Sequence, residues 1–364
     1  MIRIAIIGVG NCASSLIQGI EYYKNVNKED NGLARLNIGE YNIKDIHPVL
    51  GFDIDKRKVG KDLSKAIFEK PNCTKIFCKD ILYLDAPVLM GNLLDGVPKH
   101  MLNYPEDISF RPLDKKPVDV IKELKKRKVD VLINYLPVGS EKATEFYAQC
   151  SIDARIAFIN AMPIFIASDE KWIKKFEKAK LPVLGDDIKS QYGATFSHRQ
   201  IIQGLIDRGI KIKSTTQENY GGNTDFLNMS DNIRIQSKLK SKKSSIETLI
   251  PYKIPDLYAG PGNKSDSKHG YKPELKDNKK AVIKVDGIGF GGIPVNIKLE
   301  LSVEDSPNSA GIMVDAIRCA KIALDKGLCG NIPPSSYFFK HPYEKISDNK
   351  AKRLFDKFIN KKNE

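Results

Sequence analysis

Two carboxylates and a lysine follow a short apolar segment in the stretch LGDDIKSQ, residues 184–191. Asp186, Asp187 and Lys189 stand where a buried strand should end, and open parallel sheets bind ligands beyond the carboxyl ends of their strands. A lysine held there can lose its hydration shell and give up its proton readily, as catalytic amines do. The same charges could instead form a salt bridge that only stabilises the fold. The stretch by itself leaves both interpretations open.

A second stretch suited to chemistry is GVGNCAS, near the N-terminus. Gly8 and Gly10 follow a short apolar strand and precede an amphipathic segment, and Ala13 takes the place of the third small residue. Gly8 permits a tight turn, and Gly10 lets the backbone approach a pyrophosphate at a helix N-terminus. This arrangement predicts a dinucleotide-binding turn, with an ordinary turn as the alternative.

Asp53 is the candidate for binding the adenosine ribose. It lies at the end of the strand predicted in HPVLGFDID, where an acid favours NAD over NADP. The usual distance from the glycine turn is about 20 residues. An insertion, roughly residues 25–47, must therefore separate the first helix from this strand. A solvated carboxylate beside Asp55 is the alternative interpretation.

Three further residues fall on the same edge of the predicted sheet. In NYLPVGSE, Gly139 and Ser140 form a strand-to-helix turn, where they can face a cofactor or simply cap the next helix. In FINAMP, Asn160 ends the following strand.

The fold class follows from the alternation of strands and helices between residue 1 and about residue 190. It predicts a Rossmann-like, doubly wound parallel α/β sheet, in which VDVLINY is a buried strand. Residues 232–280 are rich in Lys, Ser, Pro and Gly, and this composition predicts that the segment contains a long mobile loop. PVNIKLELSVED alternates strictly and predicts an antiparallel strand with one wet face. SAGIMVDAIRCAKIALDKG predicts a long helix that ends near Gly327.

We therefore expect two domains. Residues 1–192 and 306–364 form the Rossmann-like NAD-binding domain, and residues 193–305 form an inserted α+β domain. The change of sequence pattern after about residue 190 and the return of a long apolar helix after residue 305 set these boundaries.

The composition fits a globular protein, with 364 residues, 41% hydrophobic and 29% charged. No apolar run approaches the roughly 18–20 residues of a membrane helix, and the first one is too short for a signal peptide. The six cysteines include no Cys-x-x-Cys pair and are expected to be reduced. These features predict a cytoplasmic protein. The net charge of +14 permits anionic partners, or reflects a lysine-rich solvated surface.

The chain resembles the myo-inositol-1-phosphate synthase family, in the shorter form of actinobacteria and archaea. The resemblance covers nearly the whole chain and rests on GVGNCASSLIQGIEYY, VDVLINYLPVGSEKATEFYAQC, GDDIKSQYGATFSHR, GGNTDFLN, EDSPNSAG and SYFFKHP. It implies conversion of D-glucose 6-phosphate to 1L-myo-inositol 1-phosphate, with NAD used but not consumed. The implied steps are oxidation at C5, loss of a C6 proton, attack of the enolate on the C1 aldehyde, and reduction of the inosose.

The resemblance also implies roles for individual residues. Lys189 lies at a catalytic lysine beside the nicotinamide, Lys238 and Lys242 occupy the SK-x-x-SK positions, and Lys340 follows the aromatic segment. Longer members carry a second lysine four residues after the Lys189 position, where this chain has Gly193, so another segment should supply one. The implied cofactor-binding residues are Gly8, Gly10, Asn11, Cys12, Asp53, Gly139, Ser140, Asn160, Asp187, Asp305 and Ser309. The implied substrate contacts are Asn223, Asp225 and Asn228.

The resemblance further implies partners. Asp187 and Asp305 offer hard oxygen ligands beside two phosphates, a setting that suits Mg²⁺, Mn²⁺ or Zn²⁺. Family members assemble as homotetramers through the second domain, and the strand PVNIKLELSVED has an apolar face suited to this. Glucose 6-phosphate is the expected substrate.

Two other functions remain as alternatives. An NAD-dependent dehydrogenase of another phosphorylated substrate would share the glycine turn, but it does not account for GDDIKSQ and GGNTDFLN together. A basic nucleic-acid-binding protein would use the lysines of residues 234–280, where few aromatic residues are suited to base stacking. We expect neither nucleic acid nor a membrane as a partner.

Overall fold

A computed structural model describes residues 1–25 and 32–360. Its strands, in chain order, are β1 (Ile2–Ile7), β2 (Asn37–Ile38), β3 (Tyr41–Asn42), β4 (Ile46–Asp53), β5 (Val88–Met90), β6 (Val131–Asn134), β7 (Ala157–Asn160), β8 (Pro182–Leu184), β9 (Lys211–Tyr220), β10 (Asp256–Pro261), β11 (Asn278–Ile288), β12 (Pro294–Glu304) and β13 (Gly330–Asn331).

The α-helices of the same residues are α1 (Asn11–Asn25), α2 (Leu63–Ala66), α3 (Val120–Lys126), α4 (Glu141–Ala154), α5 (Glu170–Ala179), α6 (Ala194–Asp207), α7 (Thr224–Asn228), α8 (Gln236–Glu247), α9 (Asp305–Asp325), α10 (Ser335–Phe338) and α11 (Asp348–Asn360). Short 3₁₀ turns occupy Ile43–Asp45, Lys99–Asn103, Pro273–Leu275 and Phe290–Gly292. Within the residues described, no helix is both long and apolar enough to cross a membrane.

Seven parallel strands form the main sheet, in the order β13-β8-β7-β6-β1-β4-β5. Alternate residues of β1 serve two layers of helices: Ile4 and Ile6 pack with α1, α9 and α11, whereas Ala5 and Ile7 pack with α3, α4 and α5. The chain runs from β1 to β4 and β5 and then crosses to β6, so the strand order reverses beside β1. Such a reversal opens a ligand crevice at the carboxyl ends of the strands. The predicted doubly wound α/β fold is confirmed.

The predicted insertion before the second strand is present. Between α1 and β4, the described part contains the β2–β3 hairpin and a 3₁₀ turn. Arg318, which is fully buried in α9, holds this part by donating to the carbonyl oxygens of Arg35 at 3.0 Å and Leu36 at 2.7 Å. Residues 26–31 of the predicted insertion lie outside the described residues.

A second, four-stranded sheet has the order β10-β9-β11-β12. Its pairs are antiparallel except β9–β10, so the antiparallel strand predicted at PVNIKLELSVED is confirmed as β12, at the sheet edge. Ile202 of α6 and Ile246 of α8 cover one face by packing against Ile283 and Val285 of β11. The predicted domain boundaries, after residues 192 and 305, remain a proposal. The start of α6 at Ala194 and of α9 at Asp305 supports them.

Much of residues 232–280, where a long mobile loop was predicted, is helix or strand. This segment contains α8, β10 and the beginning of β11. Turn-forming residue types suggested a loop, but α8 turns Ser241, Lys242 and Ile246 into the protein. The long helix α9 ends at Asp325, and Gly327 follows it with φ +63°, the left-handed conformation that commonly terminates helices.

Candidate functional site

The crevice at the carboxyl ends of β1, β4 and β6 encloses an empty volume of about 1320 Å³. Gly8 lines it with φ +83°, and a Cβ there would lie 2.7 Å from the carbonyl oxygen of Tyr135. Gly10 also lines the crevice, but a Cβ there would meet nothing within 4 Å. The turn therefore needs glycine at position 8 for its own geometry, whereas position 10 leaves bare backbone facing open space. Such bare backbone before a helix fits a pyrophosphate group.

Asp53 lies beside the glycine turn, on the wall of the crevice. Its carboxylate accepts the backbone N–H groups of Val9 at 2.7 Å, Ile54 at 2.7 Å and Asp55 at 2.9 Å. These bonds join the end of β4 to the turn after β1 and fix the carboxylate where an adenosine ribose would lie.

Asn11, Cys12 and Ser309 also line this half of the crevice. The Asn11 side-chain oxygen accepts the N–H groups of Cys73 at 2.8 Å and Thr74 at 3.1 Å, which anchors a neighbouring wall segment. The Ser309 hydroxyl lies 3.9 Å from the Cys12 sulfur. Burial, reinforced by nearby carboxylates, raises the pKa of Cys12 to about 12. This thiol is therefore suited to packing and not to nucleophilic attack.

Asp187 is the centre of the other half of the crevice. It is 1% exposed, and its carboxylate accepts Nζ of Lys238 at 3.0 Å, Nζ of Lys340 at 2.9 Å and the Ser241 hydroxyl at 2.6 Å. Burial alone would raise the pKa of Asp187, but the two lysines outweigh it and hold this pKa well below its usual range. Asp187 stays ionised and holds two lysines from distant segments on one wall.

A second ion pair faces the same space. Both carboxylate oxygens of Asp305 accept Nζ of Lys279 at 2.6 Å, and both residues line the crevice. Lys242 is 3% exposed and has no ion-pair partner among the described residues. Burial, together with the charges of Lys279 and Lys238, moves the pKa of Lys242 well below that of a free lysine. We call Lys238, Lys242, Lys279 and Lys340 the lysine cluster.

Two members of the lysine cluster share Asp187 but differ in pKa. Burial lowers the pKa of Lys340 to about 8, and the charges of Lys238 and Lys279 add to this effect. Burial alone would also lower the pKa of Lys238, but the carboxylates of Asp187 and Asp225 outweigh this effect and raise its pKa. The cluster therefore combines an ammonium that stays charged with an amine that can exchange protons near neutral pH.

The placement predicted for Lys189 is wrong. Its ammonium is buried and donates to the Asp348 carboxylate at 2.8 Å and to the Ser336 carbonyl oxygen at 3.2 Å. Arg199 donates to the other Asp348 oxygen at 2.6 Å. Burial lowers the pKa of Lys189 to about 8, although Asp348 opposes this shift. Lys189 thus lies in a buried ion-pair cluster with the N-terminus of α11, and its side chain points away from the crevice.

The backbone explains why Asp187 and Lys189 diverge. In a regular strand, residues two apart face the same side. Asp187 instead has φ +62°, which breaks the alternation, and residues 186–189 form a short ladder with residues 338–341. In this ladder Lys340 N–H donates to the Asp187 carbonyl at 2.7 Å and Lys189 N–H donates to the Phe338 carbonyl at 2.8 Å. The ladder brings Asp187 and Lys340 to the same wall.

Three predicted cofactor contacts lie away from the crevice wall. A Cβ on Gly139 would lie 3.0 Å from the Cα of Arg234, and the Ser140 hydroxyl accepts the Arg234 guanidinium at 3.0 Å. Asn160 is fully buried and bonds Asn134 at 2.9 Å and Asp186 at 2.8 Å. These residues stabilise the loops that surround the crevice. Their position at strand ends in the sequence could not distinguish this structural role from contact with a ligand.

The predicted substrate contacts divide in a similar way. Asn223 and Asp225 line the crevice; Asn223 caps α7, and the Asp225 carboxylate accepts the N–H of Val138 at 3.2 Å. Burial raises the pKa of Asp225. Asn228 is fully buried and donates to the Val138 carbonyl at 2.9 Å, and its side-chain oxygen has no partner among the residues that the structure describes.

Sequence reasoning missed three residues. Lys279 belongs to the lysine cluster, and Lys58 lines the cofactor half of the crevice, 2% exposed, with Nζ 2.9 Å from the Asn72 side-chain oxygen. Asp277 is buried and accepts Asn223 at 3.0 Å and the Ser306 hydroxyl at 2.9 Å. Burial and the nearby Asp305 raise the pKa of Asp277 to about 6. Of the three, only Lys279 could have been found from the sequence. Pairing the two alternating strands on either side of GIGFGG brings it beside Asp305.

No group of three or more His, Cys, Asp or Glu side chains suited to a metal ion occurs in residues 1–25 and 32–360. Of the two carboxylates predicted as metal ligands, Asp187 is paired with Lys238 and Lys340, and Asp305 with Lys279. The positive charge of this site is therefore supplied by lysines.

Comparison with known proteins agrees with this geometry. The family model for myo-inositol-1-phosphate synthase matches residues 193–306. The inositol-3-phosphate synthase of Mycobacterium tuberculosis is 46% identical over 363 residues, which cover 98% of this chain and 95% of that protein. The enzyme of the same name from Mycolicibacterium smegmatis is 46% identical over 367 residues, 98% of each chain.

Solved structures are similar over nearly the whole length. The crystal structure of Ari2 has a TM-score of 0.78 and 29% identity and covers 98% of each chain. A myo-inositol-1-phosphate synthase-related protein from Thermotoga maritima has a TM-score of 0.79 and 25% identity, covering 99% of this chain and 98% of that one. Together with the relatives that are 46% identical, these matches show that the chain belongs to the myo-inositol-1-phosphate synthase family.

Proposed function

We propose that the protein is an NAD-dependent isomerising cyclase that converts D-glucose 6-phosphate to 1L-myo-inositol 1-phosphate. The observation that carries this proposal is the charge of the crevice. Lys238, Lys279 and Lys340 line the half of the crevice that contains Asp187, where Asp187 and Asp305 pair with them, and the buried Lys242 interacts with these lysines. Buried charge is costly unless it is compensated. A substrate with a dianionic phosphate places its negative charge beside these lysines.

The cofactor half of the crevice fits NAD. Gly10 offers bare backbone to a pyrophosphate, Asp53 is an acceptor for ribose hydroxyls, and Lys58 adds a buried donor beside them. When bound, NAD accepts a hydride from the substrate and later returns one. Because the cofactor is regenerated within one cycle, the net reaction is an isomerisation.

The lysine cluster performs the proton transfers. Lys340, with a pKa of about 8, takes the proton of the C5 hydroxyl as the hydride leaves that carbon. Lys242, whose pKa is moved well below that of a free lysine by burial and by its lysine neighbours, is the base that removes the C6 proton. The enolate carbon attacks the C1 aldehyde, the new C1 alkoxide takes a proton from the Lys242 ammonium, and Lys340 returns its proton to the C5 oxygen when that carbon regains a hydride.

Lys238 and Lys279 act mainly through their charge. The pKa of Lys238 is raised by Asp187 and Asp225 against the effect of burial, so its ammonium persists at neutral pH. Lys279 is held by both oxygens of Asp305 at 2.6 Å. Fixed cations of this kind stabilise the oxyanions that develop at C5 and C1 and bind the phosphate. Lys279 is the proposed substitute for the second lysine that longer family members carry where this chain has Gly193.

Asn223 and Asp225 are the proposed contacts to the sugar hydroxyls, because both line the crevice on the α7 side. The unpartnered side-chain oxygen of Asn228 lies in the same segment. A ligand hydroxyl that reached it would satisfy this oxygen, and unsatisfied buried acceptors are otherwise costly.

The divalent cation that the resemblance implies is left out of the proposal. A cation at Asp187 and Asp305 would have to displace ammonium groups at 2.6–3.0 Å. The described residues therefore do not fit it well, and no step of the mechanism passes through it.

A homotetramer and a cytoplasmic location also remain proposals. The unpaired edge of β12 supports assembly through the second sheet. All six cysteines are free thiols, as is usual for proteins of a reducing compartment.

Product identification tests the activity. The purified protein is incubated with glucose 6-phosphate and about one-hundredth as much NAD, and the phosphorylated product is identified by ³¹P and ¹³C NMR. We expect inositol 1-phosphate to exceed the NAD many times over, with no steady rise in absorbance at 340 nm. Stoichiometric formation of NADH without a cyclic product would instead favour a dehydrogenase.

A further inference from the structure

We propose that Lys58 binds the ribose oxygens at the adenosine end of the dinucleotide, and that the charge of Asp53 is what excludes a 2′-phosphate, and therefore NADP. This inference rests on the dinucleotide binding proposed above and assigns its specificity to two residues. Lys58 is 2% exposed and lines the crevice together with Asp53 and Asn72. Lysines are almost never this buried without a partner for their charge. The position of Lys58 therefore points to a ligand in the crevice.

The ammonium of Lys58 and the carboxylate of Asp53 are both anchored to Val9, in the glycine turn. Nζ of Lys58 donates to the Asn72 side-chain oxygen at 2.9 Å, and the Asn72 amide donates to the Val9 carbonyl oxygen at 3.1 Å. The Asp53 carboxylate accepts the Val9 N–H at 2.7 Å. A cation and an anion are therefore fixed together beside the backbone that would receive the cofactor.

Lys58 keeps N–H donors for a ligand. An ammonium has several such donors, and Asn72 is the one hydrogen-bond partner of this ammonium among residues 1–25 and 32–360. Burial lowers the pKa of Lys58, and Asp53 is the carboxylate that opposes this effect most. Ribose oxygens that reached the ammonium would complete its hydrogen bonds, and buried polar groups are normally satisfied in this way.

Three consecutive basic residues follow β4, and of these only Lys58 lines the crevice. Lys56 donates to the Glu106 carboxylate at 2.9 Å, with 46% of its side chain exposed. Arg57 donates through Nε to the Asp55 carboxylate at 2.7 Å. An Arg near the ribose accommodates the 2′-phosphate in NADP enzymes, but here Arg57 is committed to Asp55. Lys58 is therefore the cation that meets the cofactor.

Asp53 makes this end of the crevice reject a second charge on the ribose. Three backbone N–H groups fix its carboxylate, which would face a 2′-phosphate, and like charges brought together disfavour binding. Lys58 does not discriminate, because an ammonium donates to hydroxyl and phosphate oxygens alike. Without the charge of Asp53, the buried cation that remains is a binding group for the 2′-phosphate.

Equilibrium binding tests this assignment without turnover. NADH and NADPH are titrated into wild type, Lys58→Met, Asp53→Asn and the double variant, and nucleotide fluorescence reports the dissociation constants. Wild type should bind NADPH about 100-fold more weakly than NADH, because the phosphate meets a carboxylate. Lys58→Met should weaken NADH binding about tenfold, as the loss of a hydrogen bond from a charged donor does. Asp53→Asn should bind NADPH at least as tightly as NADH.

The double variant separates the two residues. If Lys58 binds the phosphate, adding Lys58→Met to Asp53→Asn should weaken NADPH binding about tenfold or more. Lys56→Met removes an equal charge from an exposed ion pair nearby and is the matched control; both dissociation constants should stay within about twofold of wild type. Thermal melting of every variant shows that it is folded. Should Asp53→Asn fail to fold, the effect of Lys58→Met on NADH binding decides.

Three results would overturn the assignment while leaving the proposed function intact. They are normal NADH binding by Lys58→Met, NADPH binding by Asp53→Asn that ignores Lys58, and wild type that binds both nucleotides equally well. A Lys58→Met variant that melts earlier but binds NADH normally would make Lys58 a structural partner of Asn72. Wild type that binds neither nucleotide would instead remove the NAD-dependent function, and this assignment with it.

Discussion

Replacing Lys189 by Met separates a structural role from a catalytic one. The ammonium is buried, lies 2.8 Å from Asp348, and points away from the crevice. Removing one partner of a buried ion pair costs about 3–5 kcal/mol. Asp348 keeps Arg199 at 2.6 Å in the variant, so we expect the lower end, about 3 kcal/mol.

The loss of stability converts into a measurable shift of Tm. The entropy of unfolding is about 2.1 cal/mol/K per residue, so a chain of 364 residues has about 0.8 kcal/mol/K. A loss of about 3 kcal/mol then lowers Tm by about 4 °C. Because the lysine cluster is untouched, we expect kcat to stay within about twofold of wild type. Differential scanning calorimetry and initial rates of inositol phosphate formation, taken well below Tm, measure the two effects.

Lys340→Met provides the opposite pattern. Lys340 faces the crevice, and its loss should lower kcat about 100-fold or more, as the loss of an oxyanion donor does. Tm should fall less than in Lys189→Met, because Lys340 is more exposed than Lys189 and Asp187 keeps both Lys238 and Ser241 as partners. If Lys189→Met instead melted like wild type and lost about 100-fold in kcat, Lys189 would have to enter the crevice during turnover. The assignment of Lys189 to the buried ion-pair cluster would then be wrong.

Three further predictions follow from the crevice. Gly8→Ala should lower Tm because of its φ of +83° and a contact of 2.7 Å, whereas Gly10→Ala should keep Tm and weaken NADH binding, measured by fluorescence titration, about tenfold. The pKa of Lys340 is lowered to about 8, so kcat should rise with pH up to about pH 8. Between about pH 8 and 10.5 the unfolded state binds more protons at Lys340 than the folded state does, so the free energy of unfolding should rise with pH in this range. Urea denaturation at several pH values should show a smaller rise for Lys340→Met than for wild type. Since lysines already occupy Asp187 and Asp305, activity should survive exhaustive chelation; loss of activity that Zn²⁺ or Mg²⁺ restores would contradict this.

The main sheet was predictable because its signals are local. Buried parallel strands are short apolar runs, and amphipathic helices alternate with them. The glycine turn and the C-terminal end of α9 likewise depend on residues next to each other in sequence. Each element could therefore be placed before its neighbours in space were known.

The lysine cluster was only partly predictable because its members meet through long-range pairing. Lys238 and Lys242 stand in a lysine-rich segment that looks solvated, but α8 turns them towards Asp187 and a crevice from another part of the chain. Lys279 reaches Asp305 because of the register of the β11–β12 hairpin. Composition cannot distinguish such an inward-facing helix from a mobile loop, because the carboxylates that compensate its charge lie elsewhere in the sequence.

The backbone at Asp187 links the buried Lys189–Asp348 salt bridge to the lysine cluster of the crevice. A non-glycine residue at φ +62° costs about 1–3 kcal/mol, and such conformations persist only where their surroundings hold them. The ladder between residues 186–189 and 338–341 holds this one, and the Lys189–Asp348 pair fixes the ladder to α11 from its far side. Asp187 and Lys189 of the GDDIK stretch therefore have different roles. Asp187 holds two lysines on the crevice wall, and Lys189 holds the backbone that keeps Asp187 in place.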